Sequence, residues 1–281
     1  MEESLEGVTG LLAIPDDCPP SSAVLVLAGS SGRVEEGRVR ILAEHGAAAA
    51  SFRWFGGPGQ SPGICEIPLE TFIPVLDRLA AISPRLAVIG LSKGAEAALL
   101  LAARDPRITA VAAFAPSHVV WANVGAGSDG QDRPQRSSWT ADGQPLPFVP
   151  YAAGWAPVSV DGRIAFRSWY QQSLRGHADR IPAATIPVER IGGEVLLVAG
   201  GDDQLWPSVD LAEQIRARRA AHQLPTTVIS LPAAGHRTLL PGESAPVGGR
   251  TDIDHGGSPE ADAELGALVW PALGELLGLD R

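Results

Sequence analysis

A serine set between two glycines opens the chemistry of this chain. Residues Val88-Ile89-Gly90-Leu91-Ser92-Lys93-Gly94-Ala95 have the form G-x-S-x-G, with an apolar run before and an Ala/Leu run after. That is the pattern of a nucleophile elbow. A tight strand-to-helix turn holds the serine in a strained backbone conformation, and small neighbours relieve the crowding. The bland alternative is a strand-to-helix turn with a capping serine; the flanking strand and helix patterns favour the elbow. A serine hydroxyl needs a base, and the base needs an orienting acid. Two later loops can provide them, in the order serine, acid, histidine. After Val195-Leu196-Leu197-Val198-Ala199 comes Gly200-Gly201-Asp202-Asp203, and after Val228-Ile229-Ser230-Leu231 comes Gly235-His236. Acids just past the carboxyl end of a parallel strand face the crevice where ligands bind. Asp203 is the expected acid, with Asp202 as the alternative; the other member of the pair caps the loop. His236 is the expected base.

The remaining histidines are His45, His118, His177, His222 and His255. His45 and His222 end helices, where a cation meets the negative end of the helix dipole. His177 is expected at the surface. His118 follows a strand and is expected close enough to the crevice to touch substrate. His255, in Asp252-Ile253-Asp254-His255, could belong to a metal site, but a solvated acidic loop is the expectation, and no metal is called for. An oxyanion needs two backbone donors. The Lys93 amide, at a helix start, is one. The loop Gly29-Ser30-Ser31-Gly32, after Val26-Leu27-Ala28, offers the other, with Ser30 ahead of Ser31. That loop lacks both G-x-G-x-x-G and a P-loop lysine, which sets aside a nucleotide site. Lys93 is the sole lysine of the chain. Its amide rather than its ammonium is expected to serve, with Glu96, three residues on, compensating the charge.

These residues need elements to hold them. Val8 to Ile14, Ala23 to Ala28, Leu86 to Ile89, Ile108 to Phe114, Glu194 to Ala199 and Thr226 to Leu231 read as strands. Glu35 to His45, Leu69 to Ile82, Ala95 to Ala103, Ser208 to Ala221 and Pro259 to Leu277 read as helices, while Ala47 to Trp54 is an apolar run too short for a clear helix. Strands alternating with helices predict an α/β fold: a mostly parallel sheet with helices on both faces. The rhythm breaks from about Ser117 to Arg190. Prolines interrupt this stretch, yet it carries Trp121, Trp139, Trp155, Trp169 and both tyrosines, which a disordered linker would lack. A long ordered insertion of that kind reads as a lid. Its aromatics, Trp121 and Trp139 above all, together with Trp206 and His118, are the expected walls of an apolar substrate pocket. The whole chain, 1–281, reads as one domain with the lid at about 117–190.

Composition trims the alternatives. The net charge is −10, so neither nucleic acid nor an anionic membrane surface finds the cationic footprint it needs. No apolar run approaches the roughly 18 residues of a membrane span. Two cysteines make no disulfide framework and no cysteine-rich zinc site. With an acidic start, Met1-Glu2-Glu3, the expected location is the cytoplasm.

Several stretches resemble the C-terminal catalytic domain of the acyl-CoA thioesterase and bile acid-CoA:amino acid N-acyltransferase family, itself related to dienelactone hydrolases. They are GLSKGAE at 90–96, SSWTADGQPLPFVP at 137–150, IPVERI at 186–191, GGDDQLWPS at 200–208, Gly235-His236, and GGSPEADAELGALVW at 256–270. The resemblance implies an α/β-hydrolase fold with the triad at Ser92, Asp203 and His236. It implies hydrolysis of an acyl thioester or ester through an acyl-serine, without metal or organic cofactor. Long members carry an amino-terminal β-sandwich domain; here the catalytic sheet is expected to begin at about Val8. Members that pass acyl groups to amines use a cysteine at the elbow, where this chain has Ser92. The alternatives carried forward are an acyltransferase or cyclase using the same acyl-enzyme, and a non-catalytic binding protein on this scaffold.

Overall fold

The structure is a computed structural model and describes residues 1–16, 19–245 and 251–279; Cys18 lies outside them. Eight strands form the central sheet: β1 (Glu2–Ser4), β2 (Gly10–Ala13), β3 (Ala23–Leu27), β4 (Ala48–Phe52), β5 (Leu86–Leu91), β6 (Ile108–Phe114), β7 (Glu194–Gly200) and β8 (Thr227–Leu231). Their order is β1-β2-β4-β3-β5-β6-β7-β8. From β4 to β8 every pairing is parallel, while β2 runs antiparallel to both β1 and β4. All five residues of β3 and all five of β4 are buried, as strands covered on both faces must be. The ambiguous run Ala47 to Trp54 is thus a strand. Its alanines favour helix locally, but the slot between β3 and β2 decides in favour of the ladder.

The helices α1 (Glu36–Glu44) and α6 (Pro259–Leu277) cover one face, burying Val39, Leu42, Val269 and Leu273 in one core cluster with Val24, Val26, Leu196 and Val198. On the other face α2 (Ile73–Ala80), α3 (Lys93–Ala102) and α5 (Ser208–Ala221) bury Leu76, Leu99 and Ile215 in one core cluster with Leu25, Leu27 and Leu197. The ends of α6 follow from sequence chemistry. Ser258 caps the first turn by accepting from the Ala261 amide at 3.2 Å, Pro259 opens the helix, and Gly278 leaves it in the left-handed region at φ 67°.

All ten residues of α3 are buried. A helix buried on every side needs a second covering layer, and the insertion provides it. Trp139–Ala141 pairs in parallel with Ile67–Pro68, and the Trp139 ring lies 5.3 Å from Trp54 and 6.2 Å from Phe72. The first half of the expected lid is therefore built into the main core. The second half carries α4 (Arg167–Gly176), whose Tyr170 joins Trp121, Tyr151 and Trp206 in a separate aromatic cluster. Its Arg163–Ala165 strand reaches the segment before α6 through an Ile164 to Ile253 bridge. Among the described residues no helix is long and apolar enough to cross a membrane.

Candidate active site

The carboxyl ends of β5, β7 and β8 deliver Ser92, Asp203 and His236. Ser92 sits at φ 57° and ψ −118° between β5 and α3, a conformation costly for a residue with a side chain. The neighbouring chain leaves room for nothing larger than glycine on either side. A Cβ at Gly90 would lie 2.1 Å from the Gly94 carbonyl oxygen, and one at Gly94 would lie 2.4 Å from that of Leu27. The turn is held across the sheet as well, since the Ser92 amide donates to the Phe114 carbonyl at 2.9 Å.

The candidate acid and base are paired. His236 Nδ1 lies 2.8 Å from Asp203 Oδ2, both residues being almost wholly buried. Asp203 Oδ1 accepts from the amides of Leu205 at 2.8 Å and Trp206 at 3.1 Å. An ionised carboxylate only accepts, so His236 Nδ1 carries the proton and Nε2 keeps its lone pair. Asp202 has a different office: Oδ1 accepts from Gln204 Nε2 at 2.7 Å and Oδ2 from the Gly257 amide at 2.9 Å, tying two loops together. Of the two acids, Asp203 is the one that meets the histidine. Among the described residues no hydrogen bond joins Ser92 to His236. Trp206 instead ties His236 to the end of β6: the Ala115 carbonyl accepts from the Trp206 indole N–H at 3.1 Å, and the Trp206 ring meets the His236 ring edge-on at 5.8 Å.

Sequence reading missed three supports of this arrangement. Asp262, on α6, accepts from the Gly235 amide through Oδ1 at 2.7 Å. The His255 carbonyl accepts from the His236 amide at 2.9 Å, so the loop, exposed at Asp252 as expected, also braces His236. Burial pushes the His255 imidazole down to about 4, with the charge of Arg237 adding to the shift. Gly29 lets the Ser30 loop lie on the nucleophile: a Cβ there would be 3.0 Å from the Leu91 carbonyl oxygen and 3.1 Å from Ser92 Cβ. Nothing in the spacing of these residues marks them, because each acts through a contact distant in sequence.

Lys93 and Glu96 form a buried pair at 3.0 Å. Lys93 Nζ also donates to Ser138 Oγ at 2.7 Å and to the Ala122 carbonyl at 3.3 Å. Glu96 Oε1 accepts from the Trp121 amide at 3.0 Å and the Trp139 indole at 2.8 Å. Burial pushes the Lys93 ammonium down and the Glu96 carboxyl up, each opposed by the other's charge. The lysine side chain thus seats the insertion on α3 and leaves its amide at the start of that helix.

The expected pocket walls need correction. Trp121 and Trp139 expose no surface, and their indole N–H groups bond Ser117 Oγ and Glu96. Both rings pack the interior, as large aromatics do when the chain closes over them on both sides. Trp206, buried to 1% exposure, backs His236 instead of facing a ligand. His118 is half-buried with an unpartnered Nδ1, and burial pushes its imidazole down to about 4. Ser30 is exposed at the carboxyl end of β3.

A family model described as BAAT / Acyl-CoA thioester hydrolase C terminal matches residues 70–275. Acyl-coenzyme A thioesterase 2, mitochondrial, of Mus musculus is 26% identical over 278 residues, 95% of this chain and 57% of that protein. Acyl-coenzyme A thioesterase 6 of Homo sapiens is 25% identical over 273 residues, with 94% and 61% covered. The Mus musculus bile acid-CoA:amino acid N-acyltransferase is 24% identical over 239 residues, with 82% and 51% covered. The chain therefore spans about three-fifths or less of the length of these relatives. Among solved structures, a candidate dienelactone hydrolase of Klebsiella pneumoniae superposes with a TM-score of 0.57 at 15% identity, covering 99% of this chain and 97% of that one. An esterase domain from Rhodothermus marinus gives 0.54 at 14%, covering 99% and 98%. At such identities they speak for the fold alone, an α/β-hydrolase fold.

Proposed function

The chain belongs to the family of BAAT and acyl-CoA thioester hydrolase C-terminal domains, and from that premise we propose that it is a serine hydrolase of acyl thioesters or esters. The pairing of Asp203 with His236 at 2.8 Å, two strands from a serine held at φ 57°, carries the reading. His236 Nε2 takes the Ser92 proton as Oγ attacks the acyl carbon, the two closing to hydrogen-bond distance once substrate is bound. The amides of Lys93 and Ser30 receive the oxyanion, helped by the positive end of α3. The tetrahedral intermediate expels the thiol or alcohol, which takes the proton from His236, and Ser92 remains acylated. Water then gives a proton to His236 and its oxygen to the acyl carbon; Ser92 is reprotonated as the acid leaves. Asp203 holds the tautomer throughout and stabilises the imidazolium.

Serine at the elbow supports water as the acceptor, since an oxygen ester is discharged readily by hydrolysis. The names of the thioesterase relatives support an acyl-CoA thioester as substrate. His118, four residues past β6 with an unpartnered Nδ1, would meet it as a neutral imidazole. No step calls on a metal or organic cofactor, and low cysteine usage supports a cytosolic setting. The deciding experiment pairs fluorophosphonate labelling with hydrolysis of acyl-CoA, nitrophenyl ester and lactone panels. Wild type labels at Ser92 and turns over a thioester or ester, whereas Ser92→Ala does neither. More than a tenth of wild-type activity in folded Ser92→Ala overturns the assignment.

A further inference from the structure

A cavity of about 580 Å³ lies between α1 and the chain that follows His236. Three of its lining residues are direct neighbours of groups already described. Leu91 precedes Ser92, Arg33 follows the Gly29 to Gly32 loop, and Arg237 follows His236. The cavity therefore adjoins the segments that carry the nucleophile, the oxyanion loop and the base.

Its cations are unequally matched. Arg33 pairs with Glu35 at 2.9 Å, and Arg40 with Glu36 at 3.0 Å. Arg38, also in the lining, grips Glu243 through two hydrogen bonds of 2.6 and 2.8 Å. Arg237 differs. Among the described residues its guanidinium makes no hydrogen bond and no ion pair; it feels the weaker fields of Asp262 and Glu35 and the repulsion of Arg33. It is also half-buried. A guanidinium withdrawn from water without a partner is unfavourable, and a second one nearby makes it more so. An entering oxyanion reverses both penalties. It meets a planar fork of five donors suited to carboxylate or phosphate.

We propose that Arg237, together with Arg33, forms a recognition site for an anionic oxygen group of the substrate, phosphate or carboxylate, held in this cavity while the acyl carbon lies at Ser92. The proposal rests on the reading of Ser92 as the acyl-transfer nucleophile, and it adds what selects the substrate. The anion has two sources, a phosphate on the thiol leaving group or a carboxylate at the far end of the acyl chain. Neither calls for bond-making by the arginines; they set the residence and orientation of the substrate.

Two matched pairs of substrates separate the sources. One acyl group is offered as its coenzyme A thioester and as its N-acetylcysteamine thioester, which lacks the phosphates. In the second pair, N-acetylcysteamine thioesters carry an acyl chain with and without a terminal carboxylate. For Arg237→Gln, kcat/KM for the charged member of one pair is expected to fall at least tenfold further than for its neutral counterpart, mostly through KM. Arg237→Lys restores part of the difference, and Arg33→Gln reproduces part of it. The responding pair names the source. Equal charge preference in wild type and Arg237→Gln, with fluorophosphonate labelling of Ser92 intact, overturns the site. If no thioester or ester is turned over, the hydrolase reading itself fails. Calorimetric titration of coenzyme A and of pimelate then decides the site: binding at least tenfold weaker to Arg237→Gln for either probe supports it, and equal or absent binding overturns it.

Discussion

At the scale of single residues, two adjacent acids of one loop show how geometry assigns roles that chemistry leaves open. Asp202 and Asp203 have the same functional group and differ by one position. Asp203 alone faces His236, while Asp202 braces Gln204 and Gly257. Asp203→Asn presents an amide N–H or a weaker acceptor to His236 and stabilises the wrong tautomer. Its kcat is expected to fall by about 10⁴. Asp202→Asn keeps an acceptor for one of its two bonds and should cost less than about tenfold. Steady-state rates of the two purified variants decide; if Asp202→Asn is the inactive one, the acid has been misassigned. The names Ser92, Asp203 and His236 are readable from sequence because strand, loop and turn patterns around them are local. Asp262 and the His255 carbonyl are not, because they reach the site from outside the loops they support.

At the scale of elements, α3 combines the tightest backbone packing with a buried ion pair. Lys93→Met leaves the Glu96 charge buried without its cation, which should cost about 3–5 kcal/mol of stability. Lys93→Met with Glu96→Gln removes both charges and keeps an acceptor for Trp121 and Trp139, so part of the loss should return. Urea midpoints report the stabilities. Active-site titration should show the folded Lys93→Met enzyme within about tenfold of wild type, about 1.4 kcal/mol on the barrier. A thousandfold loss in folded protein means the ammonium acts in the chemistry. Two glycines make a second contrast. A Cβ at Gly94 would press on the Leu27 and Ala28 carbonyls at 2.4 and 2.5 Å, so Gly94→Ala should cost about 3 kcal/mol or more. Gly37, exposed in α1, meets nothing within 4 Å, and Gly37→Ala should stabilise by about 0.5–1 kcal/mol. Equal midpoints for the two variants would contradict the packing described for the elbow.

For the whole molecule, buried imidazoles tie stability to pH. Burial pushes His118 and His255 from 6.5 down to about 4. Between those values the unfolded chain binds protons at both sites and the folded chain does not, so stability falls as pH falls through this window. Burial pushes the Glu243 carboxyl up, but Arg38 outweighs it and holds the group below the usual range. Its contribution is present above the unfolded value near 4.5 and is lost as pH falls through the folded one. Urea unfolding at pH 7, 5.5 and 4.5 should give successively lower stabilities, and His118→Asn should flatten the slope. Equal stability at all three pH values would contradict the burial of these groups.

The α/β class, the parallel core strands, the strained turn at Ser92 and the loops that bring Asp203 to His236 were within reach of the sequence, because each follows from periodicity or a local turn. The strand Ala48–Phe52 and the insertion from Ser117 were not. An alanine run has no period of its own to show, and the insertion owes its order to the body it covers. Trp139 looked like a pocket wall as an aromatic in a proline-rich stretch, but its place between Trp54, Phe72 and Glu96 brings together residues 43 to 85 positions apart. Local sequence determines which conformations each segment prefers. Which of its side chains end up sealed inside, and which are left facing a cavity as Arg237 is, depends on what distant segments press against them, and only the tertiary structure decides that.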